Sequence, residues 1–219
     1  GIPMGVIGGD IAQGGPDSTV LAFLYDYWFS ILKVPGKDTP GGSDVAALIF
    51  KHRRDNASIV IDLGGGFGGA TLEHLKANDL PAFGYKGANA ATDRTRDRAL
   101  GFFNLRSQVI WQFREALDPD QIGGSVIALP PSRTLVSDLT APRLHKNGIT
   151  HRGLQVETKD DVCERLGRSP DEGDAVMMAW WGRRYLIDAR TGYAIRRQEG
   201  IGRTPKVVCG RVGVGKVRR

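Results

Sequence analysis

The chain reads as an α/β fold with a mixed central sheet flanked by helices. Three observations predict it. Strand-like segments crowd the N-terminal third, and helical and strand patterns then alternate. Two short apolar runs each end on an aspartate, Val6-Ile7-Gly8-Gly9-Asp10 and Ile59-Val60-Ile61-Asp62. A third acid, Asp174, opens the late apolar stretch 175–181.

The elements follow in order. Residues 6–12 read as the first strand. Gln13-Gly14-Gly15-Pro16-Asp17 is a tight turn, because Gly supplies positive φ and Pro fixes the chain direction. Residues 18–25 return as a second strand and 27–34 as a third, an antiparallel meander. A Pro/Gly loop over 35–42 leads to Ser43, the expected cap of a helix over 44–54. Its Val45, Leu48 and Ile49 lie at helical spacing. Residues 58–63 are apolar up to Asp62, as a strand buried on both faces should be. A glycine-rich turn over 64–69, a helix over 70–77 and a short strand over 81–85 come next. Residues 86–98 form a polar loop and 103–117 a helix. Then come a strand over 125–129, a helix over 135–144, an extended segment over 153–158 and a short helix over 159–166. Ser169 is the expected cap of the last helix, which runs to about Arg183. Pro170 suits its first position and Glu172 completes a capping box. The order β-β-β-α-β-α, with acids ending strands one and four, predicts a ribonuclease H-like topology of the integrase type. In that topology strands one and four are neighbours.

Size and charge narrow the classes. The 219 residues suffice for one good-sized α/β domain with a tail. No apolar run reaches the ~18 residues of a membrane span, and no basic leader precedes the first strand. The start Gly1-Ile2-Pro3-Met4 reads as that of a fragment or processed chain. Cys163 and Cys209 are too few and too isolated for a disulfide framework or a zinc site, so a reducing compartment is expected. The net charge of +6 is uneven: residues 182–219 hold 11 Lys/Arg against 2 Asp/Glu. The preceding 181 residues are mildly acidic. The chain therefore divides into a domain over 1–182 and a basic tail over 183–219, suited to nucleic acid or an acidic protein surface.

The three acids carry the chemistry. A carboxylate ending a buried strand is costly unless compensated, and neighbouring carboxylates raise one another's pKa. Mg²⁺ or Mn²⁺ offsets both, prefers carboxylate oxygens, and keeps positions open for phosphate and water. Asp10, Asp62 and Asp174 are thus the candidate catalytic metal ligands. Asp171, one turn earlier on the same helix, is an additional ligand or an outer acid; as a first-turn acid it also suits the helix dipole. The stretch Gly64-Gly65-Gly66-Phe67-Gly68-Gly69 satisfies G-x-G-x-x-G, but Ala82-Phe83-Gly84-Tyr85 lacks the acid a dinucleotide site wants. Gly65 and Gly66 are better read as admitting a DNA phosphate close to the backbone. Lys86, Arg94, Arg96 and Arg98 are candidate phosphate contacts. His145 and His151 read as surface residues, and Trp111, Trp180 and Trp181 as core.

Four stretches carry a family resemblance: Gly8-Gly9-Asp10-Ile11-Ala12 with Gly14-Gly15-Pro16-Asp17-Ser18-Thr19; Val60-Ile61-Asp62 with its glycines; Phe103-Asn104-Leu105-Arg106-Ser107; and Arg168-Ser169-Pro170-Asp171-Glu172-Gly173-Asp174-Ala175. In this order the chain resembles the C-terminal nuclease domain of the tailed-bacteriophage terminase large subunit, the DNA-packaging motor. The resemblance implies a metal-dependent endonuclease that cuts concatemeric double-stranded viral DNA, with Asp10, Asp62 and Asp174 at the positions of the family's ligands. It implies two Mg²⁺ or Mn²⁺ ions, with Asp10 between them, and two-metal phosphodiester hydrolysis. It also implies an N-terminal packaging ATPase domain of the same polypeptide; no G-x-x-x-x-G-K-[ST] occurs here. The implied partners are the portal protein and the small terminase subunit, with no membrane, and the implied setting is the host cell cytoplasm, at the procapsid portal. Rival expectations are another ribonuclease H-like nuclease, such as a junction resolvase or transposase, and a non-catalytic DNA- or portal-binding adaptor.

Overall fold

The computed structural model describes residues 1–12, 14 and 16–186. Its central sheet holds β1 (Val6–Asp10), β2 (Ser18–Tyr25), β3 (Trp28–Pro35), β4 (Ser58–Asp62) and β5 (Ala82–Tyr85), in the order β3-β2-β1-β4-β5. β2 runs antiparallel to β1 and β3, while β1, β4 and β5 are mutually parallel. This is the expected ribonuclease H-like mixed sheet, with strands one and four adjacent.

Alternation along the central strands sorts their side chains to two faces. Ile7, Ile59 and Ile61 pack with Val45 and Ile49 of α1 (Gly42–His52) and Leu75 of α2 (Gly68–Ala77). Val6 and Val60 point the other way. They join a cluster that includes Phe113 of α3 (Leu105–Leu117), Leu135 of α4 (Arg133–Thr140) and Met178 of α6 (Asp171–Trp181). Each such burial stabilises by about 1.5–3 kcal/mol. Helix α6 lies very close on the sheet at Gly8. A Cβ there would stand 2.3 Å from the Ala175 carbonyl oxygen and 2.5 Å from the Ala179 nitrogen. A hairpin of β6 (Leu144–Thr150) and β7 (Gly153–Val156) leads into α5 (Lys159–Leu166).

Several expected elements shift for identifiable reasons. The 125–129 strand is not formed. Ala128 makes only an isolated bridge to Trp28 at the outer edge of β3. The helix expected over 135–144 starts at Arg133, capped by Ser132, whose hydroxyl oxygen accepts from the Leu135 N–H. It ends before Pro142, whose missing N–H and ring do not allow continuation, and Leu144 instead opens β6. Ser43 is not the cap of α1: Gly41 is, and its N–H donates to the Asp44 carboxylate at 2.9 Å. Ser169 does not cap α6 either. Asp138 of α4 accepts from the Glu172 and Gly173 backbone N–H groups, both at 3.1 Å, and so caps that helix from outside. Glu172, freed from a capping box, accepts from the Ser132 hydroxyl at 2.7 Å and pairs with Lys33 at 3.5 Å.

The chain just past residue 182 returns onto the body. Arg183 is buried and lies 4.0 Å from the Trp180 ring centre. Tyr185 stacks on Phe83 at 3.9 Å, and its carbonyl accepts from the Ser58 hydroxyl at 2.6 Å. The rest of the basic tail, with Cys209, lies outside the described residues. Among those described, no helix is long and apolar enough to cross a membrane.

Candidate active site

Asp10 closes β1 and Asp62 closes β4. Their parallel pairing, with Gly9 opposite Ile61, delivers both carboxylates to the same edge of the sheet. Asp174 sits in the first turn of α6, next to Ala175, which rests on Gly8. The three acids surround one cation. The Lys159 ammonium stands 2.8 Å from Asp174, 3.2 Å from Asp10 and 3.8 Å from Asp62. Arg106 adds a second, with Nη1 3.3 Å from the other oxygen of Asp174. Among the described residues, the backbone donor to the trio is the Gly64 N–H, 2.8 Å from Asp62.

Burial and charge set the protonation. Burial raises Asp10 to about 7, reinforced by Asp174, Asp62 and Asp171 and opposed by Lys159. Burial likewise raises Asp62, against Lys159 and the Gly64 N–H. For Asp174 burial pushes upward, but Lys159 and Arg106 together outweigh it and hold the group below the usual carboxylate range. Burial would lower Lys159, yet its three carboxylates raise it well above the ordinary lysine value. Asp171 is raised by burial and is hydrogen-bonded to Ser169.

The donor set is all carboxylate oxygen, which suits a hard divalent cation. The ammonium stands in for that cation and marks where positive charge is wanted. The spacing is that of an ammonium, however. Mg²⁺–oxygen bonds are about 2.0–2.1 Å, shorter than these distances, so an ion here would need Lys159 to withdraw and the carboxylates to draw inward. Consistent with this, among the described residues no three acidic, His or Cys side chains already stand at metal-binding spacing. With that contraction, the residues fit the ion.

Other expected residues fall nearby or apart. Gly65 and Gly66 are exposed on the loop after Asp62, and Gly66 has φ +80°. Lys86 and Arg94 are exposed. Arg96 donates from its guanidinium to the Glu115 carbonyl, and Arg98 pairs with Asp93 at 2.9 Å, so both brace the 86–104 loop. His145 lies on β6 and His151 at the hairpin turn, away from the trio's ion pairs. Trp180 and Trp181 are core, as expected, while Trp111 is partly buried and donates to Glu115 at 2.9 Å. Sequence reasoning missed Lys159 and the contact made by Arg106. One signal was present: each is a cation in the first turn of a helix, where the dipole disfavours positive charge.

The sheet order and the flanking helices define the class: a ribonuclease H-like fold. That fold is shared with nuclease domains of phage large terminase subunits. The nuclease domain of the large terminase subunit gp2 of bacterial virus Sf6 superposes with a TM-score of 0.59 at 20% identity, over 80% of this chain and 86% of that one. A mutant of that domain with manganese gives 0.57 at 18%, over 80% and 86%. The large terminase nuclease from thermophilic phage G20c with bound magnesium gives 0.52 at 17%, over 82% and 81%. No protein-family model matches the chain, and no curated protein sequence does.

Proposed function

We propose that this chain is the nuclease domain of a large terminase subunit, a divalent-metal-dependent endonuclease that cuts concatemeric duplex DNA during viral genome packaging. One observation carries the reading: three carboxylates from β1, β4 and α6 are gathered around a single cation at one sheet edge. The fold likeness supports it, as do the magnesium and manganese in the similar structures.

In this reading Asp10, Asp62 and Asp174 would hold two Mg²⁺ or Mn²⁺ ions, with Asp10 the central ligand. Asp171 stays an outer acid that keeps the site negative. Bound there, the ions would supply Lewis-acid activation of water and charge stabilisation for phosphodiester hydrolysis, giving 5′-phosphate and 3′-hydroxyl ends. The chain's own groups prepare this. Gly64 orients Asp62 through its N–H, Arg106 keeps Asp174 ionised, and Lys159 neutralises the trio until a metal replaces it. Lys86, Arg94 and the Gly65–Gly66 loop contact the phosphate backbone, so recognition is nearly independent of sequence. The nuclease domain spans residues 1–182, and the basic tail over 183–219 contacts DNA or the portal. An ATPase domain of the same polypeptide and the small terminase subunit complete the assembly, which works in the host cytoplasm at the portal.

A plasmid-nicking assay tests the proposal. Cutting of circular and linear duplex in Mn²⁺ or Mg²⁺, abolished by EDTA and by Asp10→Asn, is the expected result. Strong cutting in excess EDTA refutes the metal mechanism. A preference for four-way junctions makes the chain a resolvase, and no cutting at all makes it an adaptor.

A further inference from the structure

Arg106 is held in an unusual way. It is the second residue of α3, and its side chain is 14% exposed. One nitrogen, Nη1, reaches Asp174 at 3.3 Å, a long and single contact. Its other nitrogens, Nε and Nη2, are buried and have no hydrogen-bond partner in the protein. Those two atoms form one edge of the planar guanidinium, where two N–H groups run parallel. That edge is the fork that grips two oxygens of a phosphate or carboxylate at once.

A buried donor pair without acceptors is destabilising. A simple counter-ion for Asp174 would not need it: a fork-on-fork pairing would satisfy both sides, and the protein does not make one. Lysine 159 already pairs with the second oxygen of Asp174, at 2.8 Å. A divalent cation in the place of Lys159 would bind that second oxygen and weaken the single Nη1 contact on the first, and an oxygen of the DNA phosphate would supply the acceptor that the open Nε–Nη2 edge lacks.

Resting on the nuclease reading above, we propose that Arg106 is a catalytic residue. It passes from Asp174 to the non-bridging oxygens of the scissile phosphate, and its Nε–Nη2 edge is the phosphate clamp. It donates hydrogen bonds to the charge that builds on those oxygens; it forms no covalent bond and gives up no proton. Because it leaves Asp174 as the metal arrives, metal and DNA should favour each other's binding.

The test compares wild type, Arg106→Ala and Arg106→Lys, each checked by thermal melting. DNA binding is measured in Ca²⁺ across a salt series, and single-turnover cleavage in Mn²⁺ at saturating DNA. For Arg106→Ala the salt slope should fall by about 0.9, one phosphate contact. Its cleavage should fall about 10²–10³-fold, the scale for losing one charge-stabilising donor. Arg106→Lys should recover the salt slope but not the cleavage, since an ammonium cannot present a fork. Substrate with a neutral methylphosphonate at the scissile position gives a readout free of folding artefacts. A methylphosphonate removes one of the two non-bridging oxygens, so for at least one of its two isomers the ratio of wild-type to Arg106→Lys rates should shrink towards one. Wild-type cleavage by Arg106→Ala, full rescue by Arg106→Lys, or an undiminished Arg106→Lys defect on both methylphosphonate isomers would each overturn the assignment. If Arg106→Ala fails to fold, the Arg106→Lys and methylphosphonate arms still decide. A wild-type protein that does not cut at all refutes the nuclease reading instead.

Discussion

Two buried acids flank the first turn of α6, and they are held in opposite ways. Asp138, fully buried, accepts from two backbone N–H groups of that turn and pairs with Arg168 at 2.6 Å. Asp174, almost as buried, has no such backbone donor; its partners are the side chains of Lys159 and Arg106. Backbone donors cannot leave without unfolding the helix, whereas a lysine can swing away. The first acid is therefore a permanent part of the fold, whereas the partners of the second are side chains that can move. Asp62 combines the two modes, with the Gly64 N–H at 2.8 Å and Lys159 at 3.8 Å, whereas Asp10 has Lys159 at 3.2 Å.

The sharpest way to break this contrast is to neutralise both kinds of acid. Asp10→Asn, Asp62→Asn and Asp174→Asn should each lower cleavage by at least about 10³-fold, the upper scale for one electrostatic group. The melting temperature should stay at or above wild type for Asp10→Asn and Asp62→Asn, whose carboxylates burial raises, and fall for Asp174→Asn, whose ionised form Lys159 and Arg106 favour. Asp171→Asn should keep most of the activity; loss there with retention in Asp174→Asn would exchange the two roles. Asp138→Ala should do the reverse. It uncaps α6 and leaves the Glu172 and Gly173 N–H groups without their acceptor, so denaturant unfolding should show a loss of about 1–3 kcal/mol, as for unsatisfied buried donors, with near-normal cleavage per folded molecule. A loss below about 1 kcal/mol, an ordinary surface-like value, would remove Asp138 from the structural class.

Two smaller effects sharpen the comparison. Lys159→Ala leaves three carboxylates facing one another, so the metal-free melting temperature should fall. Added Mn²⁺ should then raise it further than in wild type, because ligand binding stabilises by mass action and no ammonium competes. An equal Mn²⁺ response in both proteins would show that the lysine does not occupy the ion's place. The smallest effect is on pH. Asp10 is raised in the folded state to about 7 from 3.8. Its contribution is thus fully present below pH about 4 and lost as pH rises through about 7. Metal-free wild type should lose stability over that interval, and Asp10→Asn should flatten the profile. An unchanged slope in the variant would assign the titration to another group.

Much of the fold was legible because local pattern and tertiary role agree. Residues 18–25 and 159–166 match β2 and α5 end to end, and the apolar run ending at Asp62 announced a strand buried on both faces. The meeting of Asp10 and Asp62 was legible for the same reason: an acid closing a buried strand has few structural excuses. What failed involved partners distant in sequence. Nothing around Ser169 reveals that Asp138, more than thirty residues away, takes over its capping work. Strand β6 begins with Leu144-His145-Lys146-Asn147-Gly148, polar and mostly exposed, so no alternation betrays it. Lys159 looks like any helical lysine until the fold sets it among three acids.

The glycine at residue 8 gives the site its gauge. Because no side chain separates β1 from α6 there, main chain lies against main chain. The offset between the backbone of Asp10, two residues along the strand, and that of Asp174, one residue before the contact, is thus set by the packing of two main chains. A single methyl group at residue 8 would wedge strand and helix apart and carry Asp174 away from Asp10, so the three carboxylates would no longer close on one cation.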